Sequence, residues 1–164
     1  MMVSEDDSLI RPGLMLYGPS SLSPISEAKV PWTNRGISSL VTHVLDYRKV
    51  KKGDPVGYGS PACPDSGDLC ILPIRYGDGL PTSLTGKRIL VNGEELQIVG
   101  RVNMDMIQLL VRPGQKTLKR GQQVFLWSKD GLGVSQICKE IGSIPYEVFC
   151  SLSIRLPRKY CKIE

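Results

Sequence analysis

The sequence predicts a mainly β fold: a closed or partly closed β-barrel of short antiparallel strands, with one short helix. From residue 37 onward, short apolar runs follow one another with turn signals between them. Asn92-Gly93 lies between two such runs, which is a strong local signal for a β-hairpin. Because unpaired strand edges promote aggregation, closure of the sheet is favoured over an open arrangement.

The first predicted element is an isolated strand at residues 14–17, entered through Arg11-Pro12-Gly13. One short strand cannot bury its own faces, so this segment is expected to belong to a larger structure upstream. Residues 19–33 are rich in Ser and Pro and are predicted to form an extended connection. Residues 39–50 carry apolar side chains on both faces and predict a long buried strand.

The middle of the chain is predicted to form further strands. Residues 69–74 are a compact apolar run. Strands at 88–91 and 95–99 flank Asn92-Gly93, whose two residues tolerate the positive φ angles of a type I′ turn. Residues 104–111 alternate between two faces and predict the next strand.

The last part of the chain is predicted to hold two strands and the one helix. Residues 124–127 predict a strand that ends at a turn, Lys129-Asp130-Gly131. Ser135 is expected to cap the helix, and Gly142 to end it. Residues 146–152 are predicted to form the last strand.

The composition is that of an ordinary globular protein, with 164 residues, of which 41% are hydrophobic and 23% charged. No apolar run approaches the roughly 20 residues of a membrane-spanning helix. The acidic, polar start of the chain lacks the basic-then-apolar order of a signal peptide. We therefore predict a cytoplasmic protein with no membrane partner.

The formal net charge of +5 raises the question of nucleic-acid binding. Several basic residues cluster near the end of the sequence: Arg155, Arg158, Lys159 and Lys162. The few aromatic residues are not interleaved with this cluster, so no nucleic-acid partner is predicted. Recognition of a phosphate or carboxylate group fits the cluster as well.

The five cysteines are odd in number and show no C-x-x-C spacing. They are predicted to be reduced thiols, mostly buried. With His43 as the single histidine, no metal site is predicted.

Six short motifs follow one another along the chain. They are Arg11-Pro12-Gly13-Leu14-Met15-Leu16-Tyr17-Gly18, Val56-Gly57-Tyr58-Gly59, Leu72-Pro73-Ile74-Arg75-Tyr76-Gly77-Asp78-Gly79, Ile98-Val99-Gly100-Arg101-Val102-Asn103-Met104-Asp105, Ile144-Pro145-Tyr146-Glu147-Val148 and Arg155-Leu156-Pro157-Arg158. In this order they resemble the motifs of alanine racemases, from residue 9 to residue 160. The resemblance implies a (β/α)₈ barrel that binds pyridoxal 5′-phosphate (PLP), followed by a β-domain. It implies that residues 1–20 are the truncated end of the barrel and residues 21–164 the β-domain.

By this resemblance Tyr58 is the catalytic base. The family interconverts L- and D-alanine through a PLP aldimine, which delocalises the carbanion left by removal of the α-proton, and so supplies D-alanine for peptidoglycan. One proton-transfer group of the family is the lysine that holds PLP, which lies outside this chain, and the other is a tyrosine. A free tyrosine has a pKa of about 10, and a cationic neighbourhood would favour its phenolate. In the family this tyrosine serves the other subunit, so a homodimer is implied.

The resemblance also assigns residues that bind the cofactor of the chain's own barrel. Arg11 matches an arginine that donates to the PLP ring nitrogen. Because a guanidinium only donates, this nitrogen must stay unprotonated, which makes PLP a weaker electron sink and favours racemisation over transamination. Gly13 and Leu14 match backbone N–H groups that contact the cofactor phosphate. Tyr146 matches a tyrosine whose hydroxyl reaches the same phosphate.

The remaining matches concern the substrate. Met104 matches a residue whose backbone N–H binds the substrate carboxylate. Tyr76, Arg101 and Ile144 match the corridor by which substrate reaches the site. A narrow corridor lined by tyrosine would favour a small amino acid such as alanine.

The sequence departs from the family pattern at several positions. Gly57 stands where a serine is frequent, and Thr82 where the corridor often has an arginine. Arg75 and Gly77 flank Tyr76 where glycine and alanine are usual. These departures concern the shape of the corridor and the substrate range more than the reaction class.

Two other readings of the sequence stay open. In the first, the chain is a free-standing β-barrel binding module that does not catalyse racemisation. In the second, it is the β-domain of a related PLP-dependent amino-acid racemase or decarboxylase. The first predicts that no barrel is encoded upstream, and the second predicts another residue in place of Arg11. Because the PLP lysine is outside this chain, the isolated fragment is expected neither to racemise alanine nor to hold PLP tightly.

Overall fold

The computed structural model describes residues 9, 11, 13–18, 36–128 and 133–161; the predicted connection at 19–33 and turn at 129–131 lie outside them. Its strands are β1 (Leu40–His43), β2 (Asp46–Val50), β3 (Gly67–Leu72), β4 (Arg88–Val91), β5 (Glu94–Val99), β6 (Ile107–Val111) and β7 (Gln123–Trp127). Its helices are α1 (Val134–Ile141), α2 (Pro145–Ser151) and 3₁₀ turns at Gly13–Tyr17, Tyr76–Asp78 and Thr82–Leu84. The strands pair antiparallel, so the predicted mainly β fold is confirmed.

The strands form two sheets, with the order β2-β3-β6-β5-β4 in the larger and β1-β7 in the smaller. The two sheets meet where β1 ends and β2 begins. Val44 N–H donates at 2.9 Å to the carbonyl oxygen of Gln122, which immediately precedes β7 of the smaller sheet. Leu45 N–H donates at 2.8 Å to the carbonyl oxygen of Ile71, in β3 of the larger sheet. The predicted single strand at 39–50 is therefore wrong, because the chain changes sheets in the middle of it.

The predicted hairpin is confirmed. β4 and β5 pair across Asn92 and Gly93, whose φ angles of 53° and 81° are those a type I′ turn requires. Asn92 also contacts the smaller sheet: its N–H donates to Phe125 O at 3.0 Å, and its side-chain oxygen accepts from Phe125 N–H at 2.8 Å. Closure of the two sheets into one barrel stays a prediction.

Strands β3 and β6 are buried on both faces, which determines how the loops are anchored. The main core holds the largest fully buried side chains, among them Leu72, Ile89, Ile98, Leu109, Leu126 and Ile137. Because neighbouring residues of a strand face opposite ways, Leu69 and Leu110 face a second, smaller cluster. Val56 and Cys63 of that cluster lie between β2 and β3, so it fixes this connecting segment to the sheet.

Residues 146–152 form helix α2, so the predicted last strand and the prediction of a single helix are wrong. Pro145 occupies the start of α2, where its missing N–H has no partner within a helix to lose. Val148 is buried, and Phe149 and Leu152 pack against the same core. This spacing is that of one helix face, not of a strand.

Residues 13–17 form a 3₁₀ turn, and the predicted strand there is wrong. Leu14 is 2% exposed, and the Tyr17 and Phe149 rings lie 6.0 Å apart between centroids. Helix α2 thus gives this segment a neighbour, but Leu16 and Tyr17 remain 63% and 49% exposed.

Helix α1 begins one residue before the predicted cap. Gly133 takes the cap position instead of Ser135, and no side chain caps the helix. Gly142 ends the helix as predicted, and its N–H donates to Cys138 O. Among the described residues, no helix has the length and apolar character needed to cross a bilayer.

The five cysteines are free, and Cys63, Cys70 and Cys138 are buried, as predicted. Burial raises the pKa of the Cys70 thiol to about 12. Burial, with the nearby Glu147 carboxylate, raises that of Cys138 to about 11. These core thiols are therefore unreactive at neutral pH. In the described part of the chain, no group of His, Cys, Asp and Glu side chains is placed to hold a metal ion.

Candidate functional site

Tyr58 lies in a tight turn between β2 and β3. Ser60 N–H donates to Gly57 O at 3.1 Å and closes the turn. Gly57 and Gly59, on either side of Tyr58, have φ angles of 67° and 77°, a backbone conformation that favours glycine. Tyr58 is 67% exposed, so the turn presents its phenol outside the core of this chain.

The side chain of Gln108, in β6, packs closely against the backbone of this turn. A Cβ atom on Gly57 would lie 3.0 Å from Gln108 Oε1. One on Gly100 would lie 2.7 Å from the same oxygen and 3.0 Å from Val56 O. Gln108 Oε1 is buried and has no hydrogen-bond partner among the described residues. The sequence does not single out Gln108 as a site residue; a lone amide in the apolar run 107–111 is the one signal that marks it.

Arg101, a predicted corridor residue, lies beside the same turn. Its guanidinium is 3.6 Å from the position that a Cβ atom would take on Gly59. In the part of the chain that the structure describes, Arg101 forms no ion pair. The structure therefore brings Arg101 and the turn that carries Tyr58 together.

Met104 lies in a second turn, immediately before β6. Asn103 Oδ1 accepts hydrogen bonds from the N–H groups of Asp105 and Met106, at 2.8 Å each. These bonds hold the backbone in a turn, which is why β6 begins at Ile107 and not at residue 104 as predicted. Met104 is 62% exposed, so its side chain is not part of the core.

Tyr76 lies on a loop next to this turn. Its N–H donates to Asn103 O at 3.4 Å, which joins the Tyr76 loop to the Met104 turn. Tyr76 also lines an open cavity of about 570 Å³, together with Thr82 and Glu147. Tyr76, a predicted corridor residue, thus lies next to the turn of Met104, the predicted substrate-binding residue.

Three predicted phosphate-binding residues meet at the start of α2. The Tyr146 hydroxyl accepts a hydrogen bond from Leu14 N–H at 2.7 Å. A Cβ atom on Gly13 would lie 2.6 Å from the same hydroxyl oxygen, so only a glycine allows this approach. Arg11 is exposed two residues before Gly13. Ile144, immediately before α2, is 58% exposed.

These contacts place the predicted site residues in two groups: Tyr58, Arg101, Met104 and Tyr76 in the first, and Gly13, Leu14 and Tyr146 in the second. Within the described residues, Tyr58 and Tyr146 share no hydrogen bond and no ring contact. The Tyr76 loop is tied to the end of α2, because Ser151 Oγ donates to Gly79 O at 2.9 Å. Tyr146 lies at the opposite end of that helix.

Sequence comparison finds relatives along most of the chain. A family model described as the C-terminal domain of alanine racemase matches residues 37–160. Alanine racemase of Nitrosococcus oceani is 36% identical over 151 residues, which cover 91% of this chain and 41% of that protein. Alanine racemase of Piscirickettsia salmonis is 34% identical over 153 residues, 90% of this chain and 88% of that protein. The chain thus spans about two fifths of the Nitrosococcus relative.

Solved structures show the same likeness. Biosynthetic alanine racemase from Pseudomonas aeruginosa superposes with a TM-score of 0.78 at 30% identity, over 92% of this chain and 41% of that one. Alanine racemase from Bartonella henselae, with covalently bound pyridoxal phosphate, gives a TM-score of 0.76 at 29% identity, over 91% and 40%.

Proposed function

Because the chain belongs to the alanine racemase family, we propose that it acts as the C-terminal β-domain of a PLP-dependent enzyme that interconverts L- and D-alanine. One observation carries the proposal. Two motifs 132 residues apart meet where Leu14 N–H donates to the Tyr146 hydroxyl at 2.7 Å, in a space that the lack of a side chain on Gly13 provides. In this proposal residues 1–20 are the end of a barrel domain and residues 21–164 are the β-domain.

The residues at this contact fit the phosphate of PLP. The Tyr146 hydroxyl accepts from Leu14 N–H, which leaves its own proton free to donate to a phosphate oxygen. Gly13 leaves room for the hydroxyl close to the backbone, where a phosphate would also approach. Gly13, Leu14 and Tyr146 would hold the phosphate, and Arg11 would donate to the ring nitrogen. The lysine that bonds PLP covalently lies outside this chain.

Tyr58 would move the proton. PLP, when bound, delocalises the electron pair that remains when the substrate loses its α-proton. Tyr58 as phenolate would take this proton from one face of the substrate, and Tyr58 as phenol would return a proton there. The exposed turn holds its oxygen outside the core of its own chain. The backbone N–H of Met104 binds the substrate carboxylate, and Tyr76, Arg101 and Ile144 line the approach.

The separation of the two groups supports a homodimer. Tyr58 and Tyr146 do not contact each other within the described chain, although the proposed reaction would use both at one cofactor. We infer that Tyr58 and Met104 serve the partner's cofactor, while Arg11 and Tyr146 serve the cofactor of their own chain. A cytoplasmic location and supply of D-alanine for peptidoglycan complete the proposal.

Replacement of Tyr58 tests the proposed function in the full-length protein that joins this chain to its barrel. Tyr58→Phe removes the proton-carrying oxygen and little else, so kcat for alanine racemisation should fall by about 100-fold or more. The absorbance of bound PLP should stay the same. Tyr160→Phe is the matched control, because Tyr160 is 91% exposed and lies in neither group. Equal turnover in Tyr58→Phe and wild type would refute the assigned role.

A further inference from the structure

Arg75, immediately before Tyr76, contacts two carboxylates at once. Its Nε lies 3.4 Å from Asp78 Oδ2, and its Nη1 lies 3.4 Å from Asp105 Oδ1. The Arg75 side chain is only 23% exposed, so it lies along the surface of the fold and does not extend into solvent. A guanidinium can serve two acceptors because its donors point in fixed, different directions.

The two carboxylates belong to different loops. Asp78 lies in the same 3₁₀ turn as Tyr76 and is buried, so it needs a positive partner. Asp105 follows Met104, and its backbone is fixed by the hydrogen bond to Asn103 Oδ1. The Arg75–Asp105 contact therefore runs from the loop of Tyr76 to the turn of Met104.

Among the described residues, one backbone hydrogen bond joins these two loops, from Tyr76 N–H to Asn103 O. Its length of 3.4 Å is at the long end for a hydrogen bond, so this link is weak by itself. The ion pair lies beside it and holds the same two segments.

We propose that Arg75 is a positioning residue that fixes the separation between Tyr76 and Met104, and thereby limits the size of the amino acid side chain that the site admits. This inference rests on the proposed function, since it takes Tyr76 and Met104 as substrate neighbours. The Asp78 contact anchors the guanidinium, and the Asp105 contact transmits its position to the Met104 turn.

The first test measures the loops in the 164-residue chain. Asp105→Asn keeps the shape and the Arg75–Asp78 pair but removes the charge at the second contact. Amide hydrogen exchange at Tyr76 N–H should become about fivefold faster, the size expected for loss of one partly exposed ion pair. Arg75→Lys, which keeps the charge, should restore part of the protection lost in Arg75→Gln.

The control is Arg88→Gln, which breaks an exposed ion pair of 3.1 Å with Glu95 on the β4–β5 hairpin. It should leave Tyr76 exchange at the wild-type rate. A wild-type exchange rate in Asp105→Asn would overturn the proposed link between the loops.

The second test measures selectivity in the full-length protein with its barrel. The ratio of kcat/KM for 2-aminobutyrate to that for alanine should rise about tenfold in Asp105→Asn and Arg75→Gln, since the substrates differ by one methylene group. Faster exchange with an unchanged ratio would overturn the selectivity role. Absence of racemisation in the wild type would refute the proposed function itself, and the exchange measurements would still decide the link.

Discussion

The Tyr58 turn and the Tyr146 contact are held in place by different means. The turn is held by backbone: glycines with positive φ, and close packing of Gly100 against Val56 O. Tyr146 is held by the end of one side chain, through its hydroxyl and Leu14 N–H. In the first region a change that moves the site residue must also strain the fold, whereas in the second the side chain can move while the backbone stays in place.

Gly100→Ala should have the largest effect, because it attacks the backbone packing directly. The new Cβ would lie 3.0 Å from Val56 O and 2.7 Å from Gln108 Oε1, at a φ of 71°. We expect the free energy of unfolding to fall by about 3 kcal/mol, from overpacking added to backbone strain. Urea denaturation monitored by tryptophan fluorescence measures it.

Gly114→Ala is the matched control for this change. Gly114 has a φ of 88°, but nothing lies within 4 Å of a Cβ atom there, so only the strain remains. Its cost should be about 1 kcal/mol. If the two variants lose equal stability, close packing under the Tyr58 turn contributes nothing and the contrast between the regions disappears.

The elements fixed by local chemistry are those that the sequence predicts best. Asn92 and Gly93 adopt the positive φ angles of their turn, and Gly142 ends α1 in a left-handed conformation with its N–H bonded to Cys138 O. Residues 146–152 are not determined by local chemistry, because their apolar pattern is compatible with a strand or a helix. Packing of Val148 and Phe149 on the core, which is tertiary information, decides for the helix.

The candidate site divides in the same way. Motif order alone leads to Tyr58, Met104 and Tyr146, and the structure adds how each is held. Gln108 and the Arg75–Asp105 pair could not be predicted, because each depends on two loops that are distant in sequence. Polar residues in apolar runs or next to glycines are the only local sign of such supports.

Tyr146→Phe should have an intermediate effect, confined to the second region. It removes the acceptor of Leu14 N–H and leaves the ring, so the free energy of unfolding should fall by about 1 kcal/mol. Exchange of the Leu14 amide should become faster, while that of Ser60 in the Tyr58 turn stays unchanged. Native-state hydrogen exchange measures both amides in one experiment.

Tyr160→Phe is again the control, since Tyr160 is 91% exposed, and it should leave both amides unaffected. Faster exchange at Ser60 in Tyr146→Phe would contradict the independence of the two regions.

Gln108→Leu should have the smallest effect and the most informative sign. Its Oε1 is buried and has no hydrogen-bond partner in the described part of the chain. Leucine of similar size should therefore raise the free energy of unfolding by up to about 1 kcal/mol, or leave it unchanged. Gln97→Leu is the matched control in the neighbouring strand, where the amide oxygen accepts from Arg112 Nη2 at 2.7 Å, and it should destabilise. A loss of stability in Gln108→Leu as large as in Gln97→Leu would mean that a polar contact also holds the Tyr58 turn. The two regions would then be fixed by the same means, and shape alone would not explain why glycine stands at positions 57 and 100.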